Sequence, residues 1–290
     1  MLALEIEKKY SYAIQERVMK AVSMGGYVKL SLQIMNSMII PAEGSNAAAP
    51  YIPSTIAYTS VFNRLRKWKK IDTMRETLEN LSRACQVKGE MLDVVVFNTY
   101  LAALCDTMKS KKVEDVRIEL IDEALELLYH QSSRDKYNFP DPNVMSFNTV
   151  LNAAAAMKNQ TMIEEIIDTM KERDIVPDIV TYNALLKEAS TPSEKMDLIQ
   201  EIRSFPGIAF DKYTVELTLL SFVAEGLISE MLDMLKEFCV LKEEEYILSN
   251  AFSTFLLTLV KVSVHIQDAA LPSNFPSCFC LLEFLKLLLI

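Results

Sequence analysis

The feature that most constrains this chain is its likeness to itself. Val96-Phe97-Asn98-Thr99 returns as Ser146-Phe147-Asn148-Thr149 and again as Thr181-Tyr182-Asn183-Ala184. A looser copy is Ala57-Tyr58-Thr59-Ser60, a fifth is Thr214-Val215-Glu216-Leu217, and a sixth is Leu248-Ser249-Asn250-Ala251. The anchors at 59, 98, 148, 183, 216 and 250 are spaced by 39, 50, 35, 33 and 34 residues. A period near 35 has room for two helices and two turns and is far too long for a heptad.

The clearest unit runs from Val144 to Asp178. Its first half, Phe147 to Ala156, is rich in alanine and favours helix. Lys158-Asn159-Gln160 interrupts it. The second half sets Met162, Ile163, Ile166, Ile167 and Met170 at helical spacing, with Glu164, Glu165 and Asp168 between them. Asp174-Ile175-Val176-Pro177-Asp178 then ends the helix, because proline cannot continue it. Unit 212–245 repeats the design, turning at Glu225-Gly226. One such helix pair cannot bury its apolar face alone, so neighbours must stack into an all-α solenoid with a continuous core. Met157, Met162, Met170, Met231 and Met234 are read as packing residues of that core rather than a cofactor box.

Composition narrows the chemistry. Six glycines in 290 residues argue against turn-rich barrels and glycine-rich nucleotide folds. Two histidines, His130 and His265, exclude a His-rich metal site and make a Ser-His or Cys-His relay improbable. Neither histidine opens a His-x-Glu motif and there is no Cys-x-x-Cys, so a zinc deaminase is not expected. The chain is read as non-catalytic, without cofactor or metal. Cys85, Cys105, Cys239, Cys278 and Cys280 are odd in number and scattered, as reduced thiols are. The net charge of −9 speaks against a simple polybasic nucleic-acid binder but leaves a local groove open. The N-terminus resembles neither a secretory nor a transit signal. The apolar stretch Phe275–Ile290 contains Glu283 and Lys286 and falls short of the ~20 residues of a membrane span.

The 35-residue period, the Phe/Tyr-Asn pair in each first helix and the Val176-Pro177-Asp178 close of a unit resemble the pentatricopeptide repeat family. Tetratricopeptide repeats pair helices at a similar length, but their Trp and Gly-Tyr signature does not stand in register here. On the pentatricopeptide frame the units are 55–93, 94–143, 144–178, 179–211 and 212–245. Residues 1–54 form a degenerate N-terminal repeat and loop, with a helix pair over Tyr12–Met38 turning at Gly25-Gly26. Residues 246–290 form a degenerate C-terminal repeat or capping helices. Unit 94–143 carries about 15 extra residues, expected around Lys109–Leu120 and Ser132–Pro142.

The resemblance implies that the α-solenoid is right-handed and that its partner is single-stranded RNA, one base per repeat. It also implies which side chains read it: the residue after the aromatic anchor, with the last residue of the repeat. The pairs are Thr59 with Asp93, Asn98 with Asn143, Asn148 with Asp178, and Asn183 with Asp211. Family preferences for these pairs give, in order, roughly 5′-GCUU-3′. Glu216 stands where the family has Asn, Thr or Ser, and unit 212–245 is assigned no base. The second residue of each repeat, Ile56, Val95, Met145, Val180 or Tyr213, should sandwich the bases; the plainer reading is that these residues staple neighbouring first helices. For the Asn anchors the plainer reading is helix capping.

Arg64, Arg66, Lys67, Lys69 and Lys70 cluster around Trp68 in the only dense basic run, either to hold phosphates or as a solvated turn. Glu119, Asp122, Glu123, Glu126 and Glu243–Glu245 are expected on second helices, facing solvent. Four reading repeats single out about one sequence in 256, so modest affinity and help from other RNA-processing proteins are expected. The expected role is an adaptor acting on RNA processing, stability or translation in a chloroplast or mitochondrion, with no membrane partner. The alternatives are a protein-binding solenoid and the repeat region of a larger RNA-processing enzyme.

Overall fold

The computed structural model describes residues 2–40, 50–211, 213–215 and 217–218. The expectations for Glu216, for the remainder of unit 212–245 and for 246–290 lie outside the described residues, as do His265, Glu243–Glu245 and the three C-terminal cysteines. Every described element is helical, and the chain divides into two compact units, 1–176 and 177–290.

In the first unit the helices come in pairs: α1 (Leu2–Met24) and α2 (Val28–Ile39), α3 (Thr55–Lys67) and α4 (Ile71–Lys88), α5 (Val94–Ser110) and α6 (Glu114–Tyr129), α8 (Val144–Met157) and α9 (Gln160–Glu172), with the short α7 (Gln131–Asp135) between the last two pairs. The first helices form one layer, α1 against α3, α3 against α5 and α5 against α8, and each packs on its own second helix. This is solenoid stacking, in which each pair buries its apolar stripe against the next. Phe62, Phe97 and Phe147, from α3, α5 and α8, are fully buried, as are Met74, Leu78, Leu81 and Met170 from second helices. The second unit holds α10 (Ile179–Glu188) packed on α11 (Pro192–Ser204).

Local sequence sets the helix ends. Asn143 and Asp178 cap α8 and α10 through capping boxes closed by Ser146 and Thr181, and Thr191 caps α11 with Glu194 and a proline at the first helical position. Asp93 caps α5 through the Val95 amide. Gly89 ends α4 at φ +69°, in the left-handed region that glycine enters without strain. α1 and α6 carry no basic residue in their last turns, and arginines from elsewhere serve them. Arg64 donates to the carbonyls of Ser23 and Met24, and Arg173 to those of Leu128 and Tyr129. Both place positive charge where unpaired carbonyls concentrate negative potential.

The extra residues of 94–143 are spread along the unit. α5 has 17 residues where α8 has 14, and α6 has 16 where α9 has 13. Lys109–Leu120 is therefore mostly extended helix, not a loop. The rest forms α7 and a buttress: Phe139 lies 4.9 Å from Phe97 and Tyr137 5.8 Å from Tyr100, ring centre to ring centre. Glu123 departs from the solvent-facing expectation. It is half-buried and accepts from the Tyr100 hydroxyl and the Arg75 guanidinium, whereas Glu119, Asp122 and Glu126 are exposed. Cys85 and Cys105 are buried free thiols. Among the described residues no helix is long and apolar enough to cross a membrane.

Candidate nucleic-acid interface

The second residues of the repeats behave alike. Ile56, Val95, Met145, Val180 and Tyr213 are between 45% and 67% exposed although all are apolar or aromatic. Each sits at the start of a first helix, where the chain has just left its cap and the side chain points away from the core. Stapling would bury them, and they are not buried.

One turn further on, the anchors are nearly closed off. Thr59, Asn98, Asn148 and Asn183 are between 5% and 9% exposed. None of them caps a helix. That role belongs to the preceding residues of the pattern, Asp93, Asn143 and Asp178, and Asp211 accepts in the same manner from the Thr214 amide at 2.8 Å. The capping alternative therefore fails for the anchors, because a cap must precede the helix and the anchors lie inside it.

Two reading pairs meet directly. Asn98 Nδ2 donates to Asn143 Oδ1 at 3.3 Å. Asn183 Nδ2 donates to both carboxylate oxygens of Asp211 at 3.1 and 3.2 Å. Thr59 and Asp93 share no hydrogen bond; Asp93 is engaged by the Val95 amide at 2.7 Å and the Thr55 hydroxyl at 3.5 Å. Asn148 lies in the first unit and Asp178 in the second, where Asp178 Oδ1 accepts from the amides of Val180 and Thr181. The sequence reading missed a third member of the two meeting pairs. Ser146 Oγ donates to Asn98 Oδ1 at 2.6 Å, and Thr214 Oγ1 donates to Asn183 Oδ1 at 2.8 Å. The signal was present as a hydroxyl residue three places after each cap.

Above Asn98 the surface opens into a pocket of about 340 Å³ between α5 and α8, at the small end of ligand-pocket sizes. Val95, Met145, Asn98, Arg66, Asp106 and Lys109 are among its lining residues. Arg66 is held by Asp106 at 2.7 Å. Cys105 also lines the pocket, and burial pushes its thiol up to about 12, so it lies there as a neutral group. Its lining combines the apolar Val95 and Met145, the Asn98 amide, the Arg66–Asp106 pair and the Lys109 ammonium, a mixture that suits a flat heterocycle joined to an anionic backbone.

The basic run divides. Arg64 is spent on the α1 carbonyls, and Trp68 is the C-cap of α3 with its ring beside Gly26. Lys67, Lys69 and Lys70 remain exposed.

A profile of the pentatricopeptide repeat domain matches residues 140–190, the stretch holding Asn148, Asp178 and Asn183. Two curated proteins of Arabidopsis thaliana match as well. One pentatricopeptide repeat-containing protein is 27% identical over 117 residues, covering 40% of this chain and 20% of its own length. Another, named mitochondrial, is 32% identical over 95 residues, covering 29% of this chain and 17% of its own length. The chain carries a pentatricopeptide repeat match at residues 140–190 and is similar to proteins of that family.

Among solved structures the chain is similar to the pentatricopeptide repeat protein PPR10 in complex with an 18-nt psaJ RNA element, at TM-score 0.50 and 16% identity over 93% of this chain and 38% of that one. The maize PPR10 structure matches at TM-score 0.50 and 18% identity, over 90% and 35%. At these identities the likeness shows the solenoid fold. The chain spans about a fifth of the length of the curated relatives it matches.

Proposed function

We propose that this pentatricopeptide repeat chain binds single-stranded RNA and selects bases one per repeat, as an adaptor without catalysis. The observation that carries the reading is the pocket over Asn98. Its apolar lining residues Val95 and Met145 are open to solvent, while the hydrogen-bonding amide of Asn98 is nearly buried. Exposed apolar side chains beside a polar group are the arrangement that stacks a base and reads its edge. PPR10, whose fold this chain shares, is in complex with RNA.

The chemistry of the two meeting pairs gives the preference. Asn143 spends Oδ1 on the Ser146 amide, which leaves its Nδ2 to serve as a donor. Cytosine offers an acceptor at N3, which a donor suits. Asp211 is acceptor-only, and uracil offers an N3–H donor, which an acceptor suits. Pair Asn98/Asn143 accordingly selects C and pair Asn183/Asp211 selects U. Thr59, being shorter than Asn, leaves room for a purine, and with Asp93 it selects G; Asn148/Asp178 selects U. The chain-order preference is 5′-GCUU-3′. The phosphates meet Lys109 and the exposed lysines after α3. The relative named mitochondrial supports an organellar setting, mitochondrion or chloroplast, where the chain works with other RNA-processing proteins on processing, stability or translation of a transcript.

A second reading, a protein-binding solenoid, is favoured by the near-burial of all four anchors and the net charge of −9. Fluorescence anisotropy with short RNAs separates the two. The RNA reading expects binding to the single strand, weakened when C is replaced at the base facing unit 94–143. The protein-binding reading expects no single-strand binding above that of the matching duplex.

A further inference from the structure

The amide of an anchor Asn can face the groove with either end. Which end it shows decides whether a base meets a donor or an acceptor. Around Asn98 the orientation is fixed from two sides, and around Asn183 from the Asp211 side.

On one side stands an acceptor. The Asp211 carboxylate can only accept, so the end of Asn183 that faces it must be Nδ2. Asn143 Oδ1 already accepts from the Ser146 backbone amide at 3.1 Å, so it too is an acceptor towards Asn98. On the other side stands a hydroxyl from the next first helix. Ser146 Oγ accepts the Asn143 backbone N–H at 3.1 Å, which leaves its single proton to donate. The shorter of its two contacts takes it: Asn98 Oδ1 at 2.6 Å against Asn143 Oδ1 at 3.1 Å. Thr214 accepts from the Asp211 N–H at 3.3 Å and reaches both Asn183 Oδ1 at 2.8 Å and Asp211 Oδ1 at 2.9 Å, so there the side facing Asp211 carries the assignment and the hydroxyl is shared.

A third unit supplies the contrast. The residue three places after the Asp93 cap is Val96, fully buried and without a hydroxyl. The anchor it should serve, Thr59, has a buried Oγ1 without a hydrogen-bond partner. Where the hydroxyl is missing, the side chain of the anchor before it has no hydrogen-bond partner.

We propose that Ser146 and Thr214 are positioning residues for base selection. Each holds the amide of the preceding repeat's anchor with its carbonyl turned inward, Thr214 together with Asp211, so that only Nδ2 can address a base. The same rule makes Val96 the reason that Thr59 reads its base with less discrimination. This rests on the RNA reading above and adds a specificity determinant outside the anchor and terminal positions.

The test has one arm without RNA and one with it. In the free protein, Ser146→Ala should speed hydrogen exchange of the Asn98 side-chain amide, and Ser146→Thr should restore the slow exchange. On a panel of short RNAs varied at the base facing unit 94–143, Ser146→Ala should lower the C-over-other preference about five-fold, the loss of one net hydrogen bond. Preferences at the other positions should be unchanged, and Ser146→Thr should again restore the wild-type ratio. Val96→Thr should sharpen selection at the base facing unit 55–93. An unchanged exchange rate, or an Ala variant as selective as the wild type, overturns the proposal. If exchange responds but the wild-type protein shows no base preference, the RNA reading fails and takes the specificity role with it, leaving Ser146 a packing contact.

Discussion

Asn183 gives its side-chain amide to both oxygens of the Asp211 carboxylate, at 3.1 and 3.2 Å, while Asn98 reaches an amide oxygen, that of Asn143, at 3.3 Å. The two pairs are the same device with a different terminal group. Exchanging those groups should exchange the bases: Asn143→Asp is expected to turn C selection towards U, and Asp211→Asn the reverse. Asn and Asp cap helices about equally well, so neither variant should lose much stability. RNA panels varied at one base check both, and unaltered preferences in both would remove the pair assignment.

The exposed apolar residues should set affinity without setting sequence. Val95→Ala with Met145→Ala is expected to weaken single-strand binding by a similar factor for every base, while Met145→Tyr should strengthen it by up to ~1–3 kcal/mol, the worth of an aromatic platform. Anisotropy titrations measure both. A change confined to one base would mean that these residues read edges rather than faces.

Arg64 and Lys109 should separate stability from binding. Arg64→Ala removes charged hydrogen bonds to the α1 carbonyls and is expected to cost about 1–2 kcal/mol in chemical denaturation, with the salt dependence of RNA binding unchanged. Lys109→Gln should leave stability within about 0.5 kcal/mol and reduce the slope of log affinity against log salt by about 0.7. The opposite pattern would place the phosphate contact at Arg64.

Glu123 joins a fully buried tyrosine to an arginine. Burial, then the Glu123 charge, drives the Tyr100 phenol well above its ordinary range. Removing the carboxylate by Glu123→Ala strands the Tyr100 hydroxyl and the Arg75 guanidinium, at an expected cost of about 2–3 kcal/mol. Glu123→Gln, which keeps an acceptor, should cost less. Denaturation midpoints decide, and equal losses would assign the effect to packing alone.

Burial pushes the phenols of Tyr51 and Tyr129 up to about 12 each, with Glu16 and Glu165 adding to it. The folded chain therefore holds these protons more tightly than the unfolded one. Their contribution to stability is complete below the ordinary phenol value of ~10 and is lost as pH rises towards 12. The melting temperature should be insensitive to these groups near neutrality and fall steeply above about pH 10. Phenolate absorbance should lag until the helices melt, and full titration near 10 with helicity intact would contradict this burial.

The sequence made the fold class legible because a 35-residue period with paired helical stripes has few other solutions. The exposed positions of Ile56, Val95 and Met145 also followed from the repeat frame. What one repeat could not reveal was how the next repeat contacts it. Ser146 reads as an ordinary capping-box residue, and its second role exists only because stacking brings its hydroxyl to Asn98, 48 positions earlier. Glu123 looked like surface charge because its partners, Arg75 and Tyr100, sit on two other helices. Arg64 looked like phosphate-binding charge because the carbonyls it serves end a helix 40 residues away.

The most direct test of the RNA reading is the affinity of the protein for a labelled single strand carrying 5′-GCUU-3′, measured over a range of salt against the same strand with C replaced and against its duplex. The account predicts salt-sensitive binding to the single strand, clear weakening on replacing C, and little binding to the duplex. Equal affinity for all three, or none for any, would contradict it.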